Sequence, residues 1–165
     1  MAVSIRPGGP EDYDTALDIY FVSGTARRDG RPIEDWRLAQ VRDEIRNPEA
    51  WLLMAEDVAI PVGMASAMPS RLDHGNGDLV PGLCYFGFVF VVPQRWGEGI
   101  GSLLVDTMLA HVVKRGYSRV HLWTHDNNAR AYAMYARRGF VRTGRSRPSS
   151  NDPDITISEW ARDLV

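Results

Sequence analysis

Three glycines stand at alternate positions in Gln94-Arg95-Trp96-Gly97-Glu98-Gly99-Ile100-Gly101-Ser102, between an apolar run and the start of an amphipathic pattern. Glycine reaches backbone conformations that turn amide N–H groups outward, and at a helix N-terminus such amides act with the helix dipole to attract phosphate. The same triplet also suits a tight strand-to-helix turn that needs close packing. Two other phosphate loops can be tested against the spacing. The Walker A pattern requires Gly-Lys-Ser/Thr, and Gly101-Ser102 has no lysine. A dinucleotide fingerprint needs its third glycine where this chain has Ser102. Asp126 does close the following strand, where a ribose-binding acid would sit, so that reading is weakened without being removed.

A second constellation follows in Asn128-Ala129-Arg130-Ala131-Tyr132-Ala133-Met134-Tyr135-Ala136-Arg137-Arg138-Gly139-Phe140. Asn128, Ala131 and Tyr135 are three and four residues apart and therefore share one helical face. Small Ala131 between an amide and a phenol makes that face a groove with two polar rims. Taken singly, Tyr135 reads equally well as a core aromatic, and Asn128 as a helix cap. Just upstream, His121 and His125 alternate onto one strand face, but no third ligand is near and no metal site is expected. His121 is a structural or a functional histidine, and Asp126 is expected to cap the next helix. Cys84 is the only cysteine, which excludes an intrachain disulfide and a thiolate zinc site.

On the glycine turn and on residues 128–140 with their closing Tyr, Gly and Phe, the chain resembles the GNAT superfamily of N-acetyltransferases. The motifs cover residues 83–140, and the element order extends the likeness over most of the chain. The resemblance implies a mixed, mostly antiparallel α/β sheet flanked by helices and splayed near Val91 and Leu122, with acetyl-CoA as cosubstrate in the opening. It further implies that Val89, Phe90 and Val91 meet pantetheine and the thioester through backbone groups. Gly97, Glu98, Gly99, Ile100, Gly101 and Ser102 would hold the pyrophosphate, Asn128 and Ala131 would line the pantetheine arm, and Tyr135 would sit by the sulfur. Trp96 departs from the pattern, since the family most often has Arg or Gln before the first glycine. Recognition there depends mainly on backbone amides, so the departure matters little.

Acetyl transfer to an amine needs a neutral nucleophile, a stabilised oxyanion and a proton for the leaving thiolate. For an amine of pKa ~10.4, deprotonation at neutral pH costs roughly 4.6 kcal/mol, which a base or a desolvating site must supply. The strand from Leu83 to Val92 carries no acid or histidine, and Trp123 stands where some relatives have Glu. Water-mediated deprotonation is therefore the first expectation, with His121, His125 and Asp126 the nearest candidate bases by sequence and Tyr135 the donor to the thiolate. The acceptor is read as a small-molecule amine, with a peptide amine, a protein N-terminus or lysine as the alternative, or else a non-catalytic acyl-CoA binding module. Asp29, Glu34, Asp35, Asp73, Asp78, Asp152 and Asp154 lie in segments the resemblance places beside the acceptor, which suggests a cationic amine unless they form a solvated surface.

The elements that must position these residues follow from periodicity. Val3–Arg6 alternates as a strand, a helix begins at Glu11, residues 23–32 read as a loop, and Ile33–Arg46 forms a second helix stopped by Asn47-Pro48. Trp51–Glu56 and Val62–Ser70 form a hairpin, and residues 71–82 a loop. Leu83–Val92 reads as a strand buried on both faces, followed by a helix to Lys114 and a strand over Arg119–Thr124. Asn127–Arg138 forms the last helix, with strands at Phe140–Thr143 and Ile155–Trp160.

With 165 residues, 44% apolar and 24% charged, the chain is expected to form one domain over 1–165. The longest apolar stretch is too short to span a bilayer, and Met1–Arg6 lacks a secretory pattern, so no membrane association and a cytoplasmic location are expected. The net charge of −2 hides a block, residues 95–147, with 10 Arg and Lys against 3 acids, which coincides with the segment expected to hold CoA's phosphates. A nucleic-acid surface at Arg130–Arg147 is disfavoured by the overall pI of 6.1 and the scarcity of lysine. A homodimer is compatible with the composition.

Overall fold

A computed structural model of the chain describes residues 2–164. The element order is β1 (Val3–Pro7), α1 (Tyr13–Arg27), α2 (Asp35–Ile45), β2 (Trp51–Asp57), β3 (Ile60–Arg71), β4 (Leu79–Val91), α3 (Ile100–Lys114), β5 (Arg119–His125), α4 (Ala129–Arg137), β6 (Val141–Pro148) and β7 (Thr156–Asp163). The strands form a seven-stranded sheet in the order β1-β2-β3-β4-β5-β7-β6. The pairs β1–β2, β2–β3, β5–β7 and β6–β7 are antiparallel, and β4–β5 is parallel. This is the mixed, mostly antiparallel α/β sheet with flanking helices that the motifs implied. The parallel ladder joins Leu83–Phe86 to Arg119–Leu122; β4 runs on to Val91 and β5 to His125.

The chain divides into two compact units, one made of residues up to Met68 with Gly87–His111, the other of Pro69–Phe86 with the chain from Val112 on. In the first, Ala16, Ile19 and Tyr20 of α1 and Val41 and Ile45 of α2 pack with Met54, Met64 and Phe88 of the sheet. Helix α1 continues to Arg27, through the Ser23-Gly24-Thr25 stretch that polarity marks as loop. Burial overrides propensity there: Ser23 and Gly24 are buried, and a Cβ on Gly24 would lie 2.9 Å from Ile33 Cδ1, so only glycine lets the helix pass that side chain. At the start of α1, Asp12 accepts hydrogen bonds from Arg6 at 2.8 and 2.9 Å and from the Gly9 N–H at 2.9 Å. Arg6 also binds Glu56, tying β1 to β2 and to the helix entry.

In the second unit, Phe140 packs on Phe86 and receives Tyr135 edge-on at 5.4 Å between ring centroids. Three sequence expectations are corrected. Strand β4 begins at Leu79, inside the expected loop, and it is not buried on both faces: Cys84, Phe86 and Phe88 are buried, while Tyr85, Gly87 and Val89 are half-buried. Strand β6 extends to Pro148, well past Thr143; as the edge of the sheet it is almost wholly exposed, so no apolar alternation announced it. Strand β7 begins at Thr156 and runs to Asp163, beyond Trp160. Among the described residues no helix is long and apolar enough to cross a membrane.

The β2–β3 hairpin closes through Val58 and Ala59, both left-handed, with φ of 47° and 68°. That geometry matches strand twist but costs a residue with a Cβ ~1–2 kcal/mol, and most of all a β-branched one. Ala59→Gly and Val58→Asn are each expected to raise the free energy of unfolding by about 0.5–1 kcal/mol in a denaturant titration; an unchanged midpoint for both would show that the turn is unstrained.

Candidate functional site

In the glycine turn, Gly97 and Gly99 have φ of 84° and 85°, so both need glycine for conformation. A Cβ on Gly99 would meet nothing within 4 Å. Close packing is therefore not the reason for that glycine, and the space over it is open to a ligand. Helix α3 starts at Ile100, so Gly101 and Ser102 present N–H groups of a first helical turn, which lack partners within the helix. The acid inside the turn, Glu98, would repel phosphate if left alone. Arg95 binds it at 2.8 Å and also binds Asp57 at 2.9 Å, so its one positive charge is shared between two carboxylates; it offsets part of that charge and anchors the turn to the end of β2. Trp96 donates its indole N–H to the Val91 carbonyl at 2.8 Å, and the Arg27 guanidinium lies over the Trp96 and Phe90 rings. Trp96 thus braces the turn against the end of β4. Phe90 also meets Tyr20 edge-on at 5.0 Å, and Val89 is half-buried beside it.

In the second unit, Asn128, Ala131 and Tyr135 share the inward face of α4, as their spacing requires, with Tyr135 the most buried of the three. The cap of α4 is Asn128, not Asp126: its side-chain oxygen accepts from the Ala131 N–H at 3.2 Å. That leaves the Asn128 amide nitrogen as the group able to donate to a ligand. Asp126 is held by Arg142 at 3.8 Å, and its backbone carbonyl accepts from the Tyr132 hydroxyl at 2.7 Å.

His121 and His125 do not act together. The His125 ring lies 3.3 Å from Ser149 Oγ, whereas His121 Nδ1 is 2.8 Å from Glu159 Oε2 and its Nε2 is 2.8 Å from Ser70 Oγ. A carboxylate only accepts, so Nδ1 carries the proton, and in the neutral ring Nε2 accepts from the Ser70 hydroxyl. Glu159 is buried, and sequence reasoning missed it. The signal was present: an acid inside the apolar alternation of Ile155–Trp160 is exceptional and is kept only with partners. Burial pushes the Glu159 carboxyl pKa up. Hydrogen bonds from Thr143, at 2.7 Å, and from His121, with the charges of His121 and Arg145, outweigh burial and hold the pKa below the usual value. The group is ionised at neutral pH.

These residues line a cavity of about 310 Å³ in the second unit. Its polar wall is His121, Glu159, Thr143, Arg119 and Arg145, and its apolar wall is Leu83 and Ala161. None of the acidic residues expected to face the acceptor lines it; Asp29, Glu34, Asp35, Asp73, Asp78 and Asp154 are exposed and Asp152 is half-buried.

Residues 12–140 match the family described as "Acetyltransferase (GNAT) family". The chain is 30% identical over 119 residues to a mycothiol acetyltransferase of Beutenbergia cavernae, a match covering 64% of this chain and 40% of that protein. The chain thus spans less than half the length of that curated relative. It shares its fold with the ribosomal-protein-S18-alanine N-acetyltransferase of Escherichia coli, at a TM-score of 0.74 and 16% identity over 98% of this chain and 94% of that one. The PaiA N-acetyltransferase of Thermoplasma acidophilum, solved in complex with coenzyme A, superposes with a TM-score of 0.73 at 15% identity, over 99% and 100% of the two chains.

Because the Glu159 pKa is lowered on folding, its ionised form contributes stability above the unfolded carboxylate pKa, and that contribution is lost as pH falls through the folded value. Glu159→Gln should therefore cost about 1–3 kcal/mol at about pH 7, and the difference from wild type should shrink towards about pH 3, as read from denaturant unfolding at both values. A gap that stays constant with pH would mean that the charge does not stabilise the fold.

Proposed function

The chain belongs to the GNAT acetyltransferase family, and on that premise we propose that it transfers the acetyl group of acetyl-CoA to a primary amine of a small molecule, by direct attack of the amine on the thioester. The observation that carries the reading is the glycine turn: two glycines held at positive φ, open space above Gly99, first-turn amides without partners inside the helix, and an internal acid paired with Arg95. Such a turn fits a pyrophosphate. Gly97 through Ser102 would hold that group, Val89, Phe90 and Val91 would offer backbone groups to the pantetheine arm, and Asn128 would offer its amide nitrogen beside Ala131. Acetyl-CoA supplies an activated acyl group with a thiolate as leaving group.

Two side chains of the second unit handle protons. Tyr135 carries a phenol O–H and donates it to the departing thiolate. His121 receives the proton of the acceptor amine. Both of its ring nitrogens are engaged, so that proton reaches Nε2 through the Ser70 hydroxyl or an intervening water, and Glu159 stabilises the imidazolium that forms.

Thiol release from acetyl-CoA with a panel of primary amines tests this reading. The expected result is amine-dependent release, with Tyr135→Phe lowering kcat by about 100-fold. Stabilisation by acetyl-CoA without release across the panel would instead favour an acyl-CoA binding module, and stabilisation by NAD in its place would remove the acetyltransferase reading altogether.

A further inference from the structure

The cavity of the second unit is rich in donors and poor in acceptors. Glu159 is the one carboxylate lining it among the described residues, and three donors already use it: Oε1 accepts from Thr143 at 2.7 Å, and Oε2 from His121 at 2.8 Å and from Arg145 at 3.4 Å, which leaves one lone-pair site, on Oε1. Thr143 Oγ1 spends its one proton on Glu159 and accepts from the Arg145 backbone N–H at 3.3 Å. Both His121 nitrogens are engaged. The guanidinium groups are what remains. Arg119 uses Nη1 on Asp163 at 2.7 Å, and Arg145 uses Nη1 on Glu159 while its guanidinium lies over the Trp123 ring. Each guanidinium has five N–H donors in a planar fork, so most of the donors on this wall have no protein acceptor.

A cationic group entering this cavity would find few free acceptor sites and two guanidinium groups, each paired with one carboxylate, Arg119 with Asp163 and Arg145 with Glu159. An oxyanion would find two forks of the geometry that binds carboxylates bidentately. The volume, at the lower end of the ~300–1,000 Å³ seen for ligand pockets, suits a small molecule. We propose that the acceptor amine also carries a carboxylate, as an amino acid does, and that Arg119 and Arg145 bind this carboxylate and set the specificity. The proposal rests on the acetyltransferase reading, through His121, which belongs to the same wall. It reverses the polarity suggested by the acidic segments, whose side chains lie elsewhere.

The test is thiol release from acetyl-CoA with matched acceptors that differ only beside the amine: an amino acid, its primary amide, the decarboxylated amine and the corresponding aminophosphonate. The acid is expected to exceed its amide in kcat/KM by about tenfold or more, mainly through KM, as for a lost charge-assisted hydrogen bond. That preference should collapse in Arg119→Gln and in Arg145→Gln, whose side chains are 46% and 70% exposed; Arg119→Gln leaves Glu159 with all three of its donors, so it reads the carboxylate preference apart from any effect on that buried acid. Equal or faster use of the amide or the decarboxylated amine overturns the proposal, and so does a preference for the aminophosphonate, which would assign the forks to a phosphate-type group. If no amine releases thiol, the acetyltransferase reading has failed, and calorimetric binding of the same acid and amide decides the inference separately. Tighter binding of the acid, lost in Arg119→Gln, supports it; no difference overturns it.

Discussion

Glu159 lies in β7 between buried Ser158 and Trp160, and an ionised carboxyl in that position is stable only because side chains from other strands bring it donors: His121 from β5, and Thr143 and Arg145 from β6. Each link has a structural consequence. Strand β6 is the exposed edge of the sheet, paired on one side only, and its side-chain contacts to Glu159 add to the ladder that holds it. His121 is fixed in one orientation from both ends, by Glu159 and by Ser70 at the far end of β3. The ring is thus held from both sides, with a buried carboxylate behind it.

Satisfying Glu159 also shapes the adjoining cavity. Most of that carboxylate's lone-pair sites are used internally, whereas each guanidinium keeps N–H groups that its carboxylate partner does not take. The remaining polarity of the cavity is set by Arg119 and Arg145, and charge counted along the chain does not report it. The surplus of basic residues over 95–147 misleads in the same way at the glycine turn: the one basic residue there, Arg95, is held between Asp57 and Glu98. What the turn offers to an anion is its backbone.

The glycine turn depends on a different constraint, the positive φ of Gly97 and Gly99, and its supports are local: Arg95 to Asp57, and Trp96 to the Val91 carbonyl. Trp96 shows how a departure from the common residue at that position is accommodated, since its indole makes a bond to the chain itself.

The turn, the α4 face and the family were legible in the chain because each is encoded over a short span. Alternate glycines, the three-and-four spacing of Asn128, Ala131 and Tyr135, and the apolar runs of the helices are local patterns that chain geometry reads directly. Edge strand β6 was only partly legible, since an exposed strand carries no burial signal, and α1 beyond Ser23 was hidden because Ser23 and Gly24 are buried by packing that includes the distant Ile33, which their polarity and low helix propensity do not report. The Ser70–His121–Glu159 chain could not be read at all, because its members lie 51 and 38 positions apart and meet only when β3, β5 and β7 are assembled. The amino-acid sequence by itself thus determined the architecture and the glycine turn, which depend on neighbours along the chain. Tertiary structure alone decided which histidine is braced, which acid is buried and which arginines face the cavity, because those choices depend on long-range register and on which polar groups are left without a partner.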